Sequence, residues 1–215
     1  MVQPKLSGRA RRSYDSSRRQ ERARLNRDRI LTAAEHRFLR DGYGTTTIST
    51  IAADAGVSSD TIYKTFGGKP GIVRAIRNRA LEGEGPLRAE QRSDDLHDRQ
   101  ADPRTIIQAW GALTAEVSPR VAPILLLIRA AAASDPDVVE LLEEMDEDRL
   151  RRMTFNASRL HDAGHLRPGI TIAIAADVLW TYSAPELYEL LVLRRGWTPT
   201  RHGRFVADAI INALL

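Results

Sequence analysis

Apolar residues recur along this chain three and four positions apart, the spacing of helix faces, and no stretch shows the strict alternation of a strand. The first face is Ile30, Leu31, Ala34 and Phe38, which predicts a helix from about Asn26 to Arg40, stopped by Asp41-Gly42-Tyr43-Gly44. Thr47 is a suitable N-cap for a second helix carrying Ile48, Ile51, Ala52 and Ala55, and Gly56 is free to take the positive φ that closes it. Ser58 caps a third helix in which Ile62 and Phe66 lie on one side, while Ser59, Asp60, Thr61 and Lys64 point elsewhere with no apolar partners. Pro70 suits the first turn of a fourth helix, which runs through Ile72, Val73 and Ile76 to about Leu81. Ile30 and Phe38 are expected to pack on Ile51, Ile62 and Phe66 as a small core beneath the third helix.

Residues 82–101 are polar and contain two glycines and a proline, so they read as a linker with room for a short helix around Leu87 to Leu96. Asp102-Pro103 starts a helix with the face Ile106, Ile107, Trp110, Leu113 and Val117. Another is expected from near Pro119 through Ile124, Leu125, Leu127 and Ile128 to Ala133, apolar almost all round and therefore central. Asp135-Pro136 opens a long helix ending at Gly164, with the acidic run Glu143 to Asp148 read as a solvated outer face. Thr171 caps the next, which Ser183-Ala184-Pro185 must break before it resumes from Glu186 to Leu193. Thr198-Pro199 begins the last helix, bearing Phe205, Val206, Ile210, Ile211 and Leu214. The fold class is all-α with nine helices: a head over residues 25–81 and a helical domain over 102–215.

Composition narrows the class further. With 42% hydrophobic residues in 215, the chain is rich enough in apolar side chains to fold, and without cysteine it has no disulfide framework and no thiolate metal site. The longest apolar run, Val121 to Ile128, contains Pro123 and falls far short of the roughly 20 residues that span a bilayer, so no membrane partner is expected. A soluble cytoplasmic protein follows. The net charge of +4 conceals an asymmetry: residues 1–80 carry 17 Lys and Arg against 7 Asp and Glu, and residues 81–215 carry 15 against 21. Attraction for phosphate therefore resides at one end. Residues 1–24 have no helical period and hold Arg9, Arg11, Arg12, Arg18, Arg19, Arg22 and Arg24, reading as a mobile basic arm that suits a phosphate backbone or a narrow minor groove.

The second and third helices with their tight turn have the profile of a helix-turn-helix. Short polar groups on the third helix suit base edges in a major groove, with Ser59, Asp60, Thr61 and Lys64 as the readers. Asp60 must accept from a cytosine amino group or repel DNA locally. No catalytic constellation is present: there is no G-x-S-x-G, no phosphate-binding glycine loop and no H-E-x-x-H. His161 and His165 are four apart, yet Gly164 falls between them at the expected helix end, so no metal or other cofactor is expected.

Residues 33–73, AAEHRFLRDGYGTTTISTIAADAGVSSDTIYKTFGGKPGIV, resemble the DNA-binding half of TetR-family regulators through F-x-x-x-G-Y, T-T-I-x-x-I-A, A-G-V-S, T-I-Y and F-x-x-K. A second stretch, AADVLWTYSAPELYELLVLRRGWTPTRHGRFV, is similar to the C-terminal signature of one subgroup, with D-x-x-W, P-E-x-Y-x-x-L and R-G-W. The resemblance implies that Lys69 and Tyr63 grip phosphates, with Thr47, Ser58 and Thr65 beside them. It also implies a homodimer held by a four-helix bundle of the last two helices, where Leu187, Leu190, Leu191, Phe205 and Ile210 offer more apolar surface than one small domain covers. The remaining helices would enclose a small-molecule pocket, for which Trp110, Leu113, Leu127, Phe155, Trp180 and Tyr182 are the candidate walls. The function implied is a dimeric repressor, bound to double-stranded operator DNA and released when a small, largely apolar effector favours a conformer with mis-spaced heads. In that mechanism the fourth helix is the coupler. A constitutive DNA-binding or adaptor protein without an effector is the alternative.

Overall fold

The computed structural model describes residues 8–83, 87–99 and 102–215, and these divide into two compact units, 1–72 and 73–215. Its helices are α1 Gly8–Asp41, α2 Ile48–Ala55, α3 Ser59–Phe66, α4 Lys69–Glu82, α5 Ala89–Asp98, α6 Pro103–Ala132, α7 Pro136–Asp162, α8 Ile172–Tyr182, α9 Pro185–Tyr188 and α10 Pro199–Leu214. Among the described residues there is no strand. The all-α expectation holds.

In the first unit, Ile30, Leu31, Ala34, Phe38, Tyr43, Ile51, Ala52, Ala55 and Ile62 are buried together. Phe66 is only half-buried and lies under the Arg27 guanidinium, 4.7 Å from the ring centroid, so it edges this core instead of filling it. The first helix is longer than expected: it begins at Gly8, not near Asn26, so residues 8–24 are helical where a mobile arm was expected. Residues 1–7 of that arm lie outside the described residues. Arg, Gln, Glu and Ala are good helix formers without any apolar face, and Arg24 pairs with Glu21 at 2.8 Å and Asp28 at 3.7 Å along one side. A helix held by propensity and ion pairs leaves no hydrophobic period to read.

The second unit is organised around α6, which packs against α5, α7, α9 and α10. Two helices were expected here, and the structure has one of 30 residues running through Pro119 and Pro123. By length and composition α6 is long and apolar enough to cross a membrane, and four helices pack against it. Helices α6 and α10 approach closely: a Cβ on Gly111 would lie 2.5 Å from the Gly203 carbonyl oxygen, and one on Gly203 would meet the Gly111 carbonyl at still shorter range. Ala115 and Ala207, four residues on, extend this small-residue seam. The break at Pro185 occurs as expected, and the chain continues past α9 as a π-helical stretch, Glu189–Arg194. The supposed linker contains α5, whose Ser93 and His97 are buried against α6.

Candidate functional site

In the head, both N-caps form as the sequence suggests. The Thr47 hydroxyl accepts from Thr50 N at 3.2 Å while Thr50 Oγ1 accepts from Thr47 N, a reciprocal capping box. Ser58 Oγ accepts from Thr61 N at 3.1 Å and starts α3. Gly56 takes φ +63, the left-handed conformation that ends α2. Two arginines that sequence reasoning missed then fix α2 onto α1. Arg29 donates to the carbonyls of Ala55 and Gly56, satisfying the end of α2. Arg37 bridges Asp54 at 2.8 Å and Asp41 at 3.3 Å. The Arg40 guanidinium, with that of Arg37, holds the Asp41 carboxyl down to about 2, and Arg37 also lowers Asp54. A pair of arginines eight apart on an otherwise polar helix face was the available signal.

The outer side of α3 is polar and open. Asp60, Lys64 and Thr65 are exposed, Ser59 and Thr61 half-buried, and Tyr63 is 55% exposed. Lys64 Nζ sits 2.7 Å from Asp60, so two of the four base-reading candidates are paired with each other when no DNA is present. Thr65 Oγ1 donates to Thr61 O at 2.7 Å. Lys69, a phosphate candidate, donates from Nζ to Tyr43 O at 2.9 Å and lies 4.3 Å from the Tyr43 ring centroid. It therefore braces the turn between α1 and α2.

The second unit contains a cavity of about 250 Å³. Of the expected walls, Trp110 and Leu113 line it and Leu127, Phe155, Trp180 and Tyr182 do not. The register of α6 explains the first miss: Trp110, Leu113, Val117, Val121 and Leu125 follow one face, and Leu127 is two residues, about 200°, round from Leu125. Phe155 is 45% exposed, with Arg152 and Arg159 over its ring. Trp180 is stacked under Arg149 at 4.4 Å, and Tyr182 packs edge-on against Phe205 at 6.3 Å. Ile210, expected at a dimer surface, is 4% exposed and lines the cavity instead. Leu187 and Leu191 are half-buried, whereas Leu190, Leu193 and Phe205 remain exposed.

The cavity also holds charged residues that the sequence did not single out. Arg77 bridges Asp148 at 2.7 Å, and Arg152 bridges Asp94 at 2.7 Å. Arg149 donates to Trp180 O and to Ser183 Oγ at 3.2 Å and pairs with Asp146 at 3.3 Å. Burial lowers its pKa, with Asp146 acting in the opposite sense. The acidic run on α7 is thus no merely solvated face: Glu144 holds Arg74, Asp146 holds Arg129 and Arg149, and Asp148 holds Arg77. Behind Trp110, whose indole N–H donates to Ser93 Oγ at 2.8 Å, burial pushes His97 down to about 4. At the end of α7 Gly164 takes φ +69, so His161 and His165 do not share one helix face.

A capped helix-turn-helix with an open polar face is thus followed in the chain by a helical unit that contains a cavity. Residues 30–76 match the family described as bacterial regulatory proteins, tetR family. Its relatives are regulators, not enzymes. The match spans 50% of one curated relative, 31% identical, and 36% of another, 38% identical. The HTH-type transcriptional repressor BepR of Brucella suis is 26% identical over 190 residues, covering 87% of this chain and 91% of that protein. Two solved structures share the fold. The SmeT–triclosan complex has a TM-score of 0.67 at 24% identity, covering 88% of this chain and 91% of that one. FadR from Bacillus subtilis in complex with stearoyl-CoA has a TM-score of 0.65 at 18% identity, covering 87% and 98%.

Proposed function

We propose that the chain is a cytoplasmic, homodimeric transcriptional repressor that loses its operator when a small, largely apolar molecule enters the cavity. The observation that carries this is the pairing, in one chain, of an exposed polar α3 in a TetR-family head with an apolar cavity in the second unit. Ser59, Asp60, Thr61 and Lys64 read bases, and Tyr63, Thr47, Ser58, Thr65 and the start of α4 at Lys69 meet phosphates. A single α3 reads few base pairs, so two copies are needed to occupy successive major grooves. Leu190, Leu193 and Phe205, exposed along the last helices, supply the dimer contact. BepR, a repressor related over most of its length, supports repression, and the ligand complexes of SmeT and FadR support an effector site in this fold. Helix α4 begins in one unit and continues into the other, so ligand-driven movement of Arg77 acts on the helix that follows the reading head.

Selection of bound fragments from a random duplex pool, followed by a compound screen for their release, tests the reading. Enrichment of an inverted repeat and release by an apolar compound are expected. Enrichment without release by any compound would leave the constitutive alternative.

A further inference from the structure

The structure assigns a ligand class to the cavity: an uncharged, ring-containing molecule with a hydroxyl or N–H that donates to Asn156. This rests on the cavity being the effector site and says what kind of effector it takes. The fold alone does not choose, since proteins sharing it are found with ligands as different as triclosan and stearoyl-CoA. The residues of this chain do.

Size comes first. The cavity, about 250 Å³ and half open to the surface, has room for a small ring system. Charge comes second. Arg77, Glu90, Asp148, Arg149 and Arg152 line the cavity, and each already faces an opposite charge: Arg77 with Asp148, Arg149 with Asp146, and Arg152 with Asp94 and, at 3.8 Å, Glu90. An anionic guest would have to displace a carboxylate, and a cationic one an arginine. Either exchange leaves a partly buried charge unpaired, which costs more than admitting a neutral molecule.

The third observation is an unmet hydrogen bond. Asn156 projects from α7, is 6% exposed, and its Oδ1 has no partner. Buried acceptors of this kind are rare because leaving one unmade is costly. One turn away on the same helix are Arg152 and Met153, both cavity walls, so the carboxamide belongs to the lined surface. Arg77 Nε and Arg149 Nε are also buried without acceptors. A guest hydroxyl or N–H can donate to Asn156 Oδ1, and a guest oxygen can accept from a guanidinium N–H. Trp110, Met145 and Met153 supply the polarisable wall that a ring packs against.

The test uses the full chain and the change in tryptophan fluorescence, since Trp110 lines the cavity. Three probes of nearly one shape are compared: para-phenylphenol, its methyl ether and para-phenylbenzoate, with octanoyl-coenzyme A as a bulky anion. The phenol is expected to bind about tenfold tighter than the ether, and the two anions more weakly than either. In Asn156→Leu the phenol-to-ether ratio should collapse to about one. Equal binding of phenol and ether by the unaltered chain, or tighter binding of an anion, overturns the assignment while leaving an effector site in place. Binding of none of the four overturns both the assignment and the effector reading.

Discussion

In the head, the groups that fix each turn lie within one short motif: Thr47 caps onto Thr50, Ser58 onto Thr61, and Arg29 and Arg37 reach across a single helix pair. In the second unit the decisive contacts join distant parts of the chain, Gly111 with Gly203, Trp110 with Ser93, Arg77 with Asp148. The head is a small core stiffened by local hydrogen bonds. The cavity exists only because helices far apart in sequence stop short of filling the space between them. Local closure makes a rigid reader, and long-range closure with unmet polar groups makes a site that a guest completes.

The sharpest way to break this contrast is the α6–α10 seam. Gly203→Leu drives a side chain into the Gly111 backbone and is expected to cost more than about 3 kcal/mol in chemical denaturation of the second unit, with the cavity lost. Acid should also act on that unit selectively. His97 is buried beside Trp110, and its folded-state value of about 4 lies below the ordinary 6.5. The unfolded chain therefore binds the proton first: stability is full above about pH 6.5, falls as the pH drops towards 4, and is then level. About 2–3 kcal/mol should go in that window, with Asp94 opposing and Arg152, Arg159 and His165 adding to the shift. His97→Phe should make the profile measured by urea denaturation from pH 7 to pH 4 shallower, leaving the slope that belongs to His202, whose pKa burial also lowers.

Smaller effects are expected in the head. Arg29→Ala strips the bonds from the end of α2 and should cost about 1–2 kcal/mol, weakening every operator alike while leaving the binding of cavity ligands unchanged. Asp60→Asn removes the carboxylate that accepts from a cytosine amino group, so affinity should fall by up to about tenfold, and only for operators with a cytosine at one position. A rise in affinity for every duplex alike would instead show that Asp60 repels DNA and reads no base.

The contrast also explains what the sequence made legible. Helix starts at Thr47, Ser58, Asp102, Asp135, Thr171 and Thr198 were readable because a cap is a short-range signal, and all six side chains accept the capping bond. Helix α6 misled because Pro119 and Pro123 signal a break that packing on four neighbours overrides. The start of α1 was hidden since a polar helix has no hydrophobic period. Half of the cavity was misread for a related reason. Large aromatic residues were natural candidates for a wall, but Phe155 and Trp180 serve as platforms for arginines, while the wall needed Arg77, Asp148 and Asn156 from opposite ends of the unit. No local pattern announces a residue whose role is set by a partner some seventy positions away.

The most direct test is fluorescence anisotropy of the full chain on its selected duplex across a salt series, with and without para-phenylphenol. The account predicts two copies per duplex, affinity falling steeply with log salt as phosphate contacts are screened, and weaker binding when the phenol is present. Failure to bind any duplex at low ionic strength, or an affinity indifferent to a ligand shown to occupy the cavity, would contradict it.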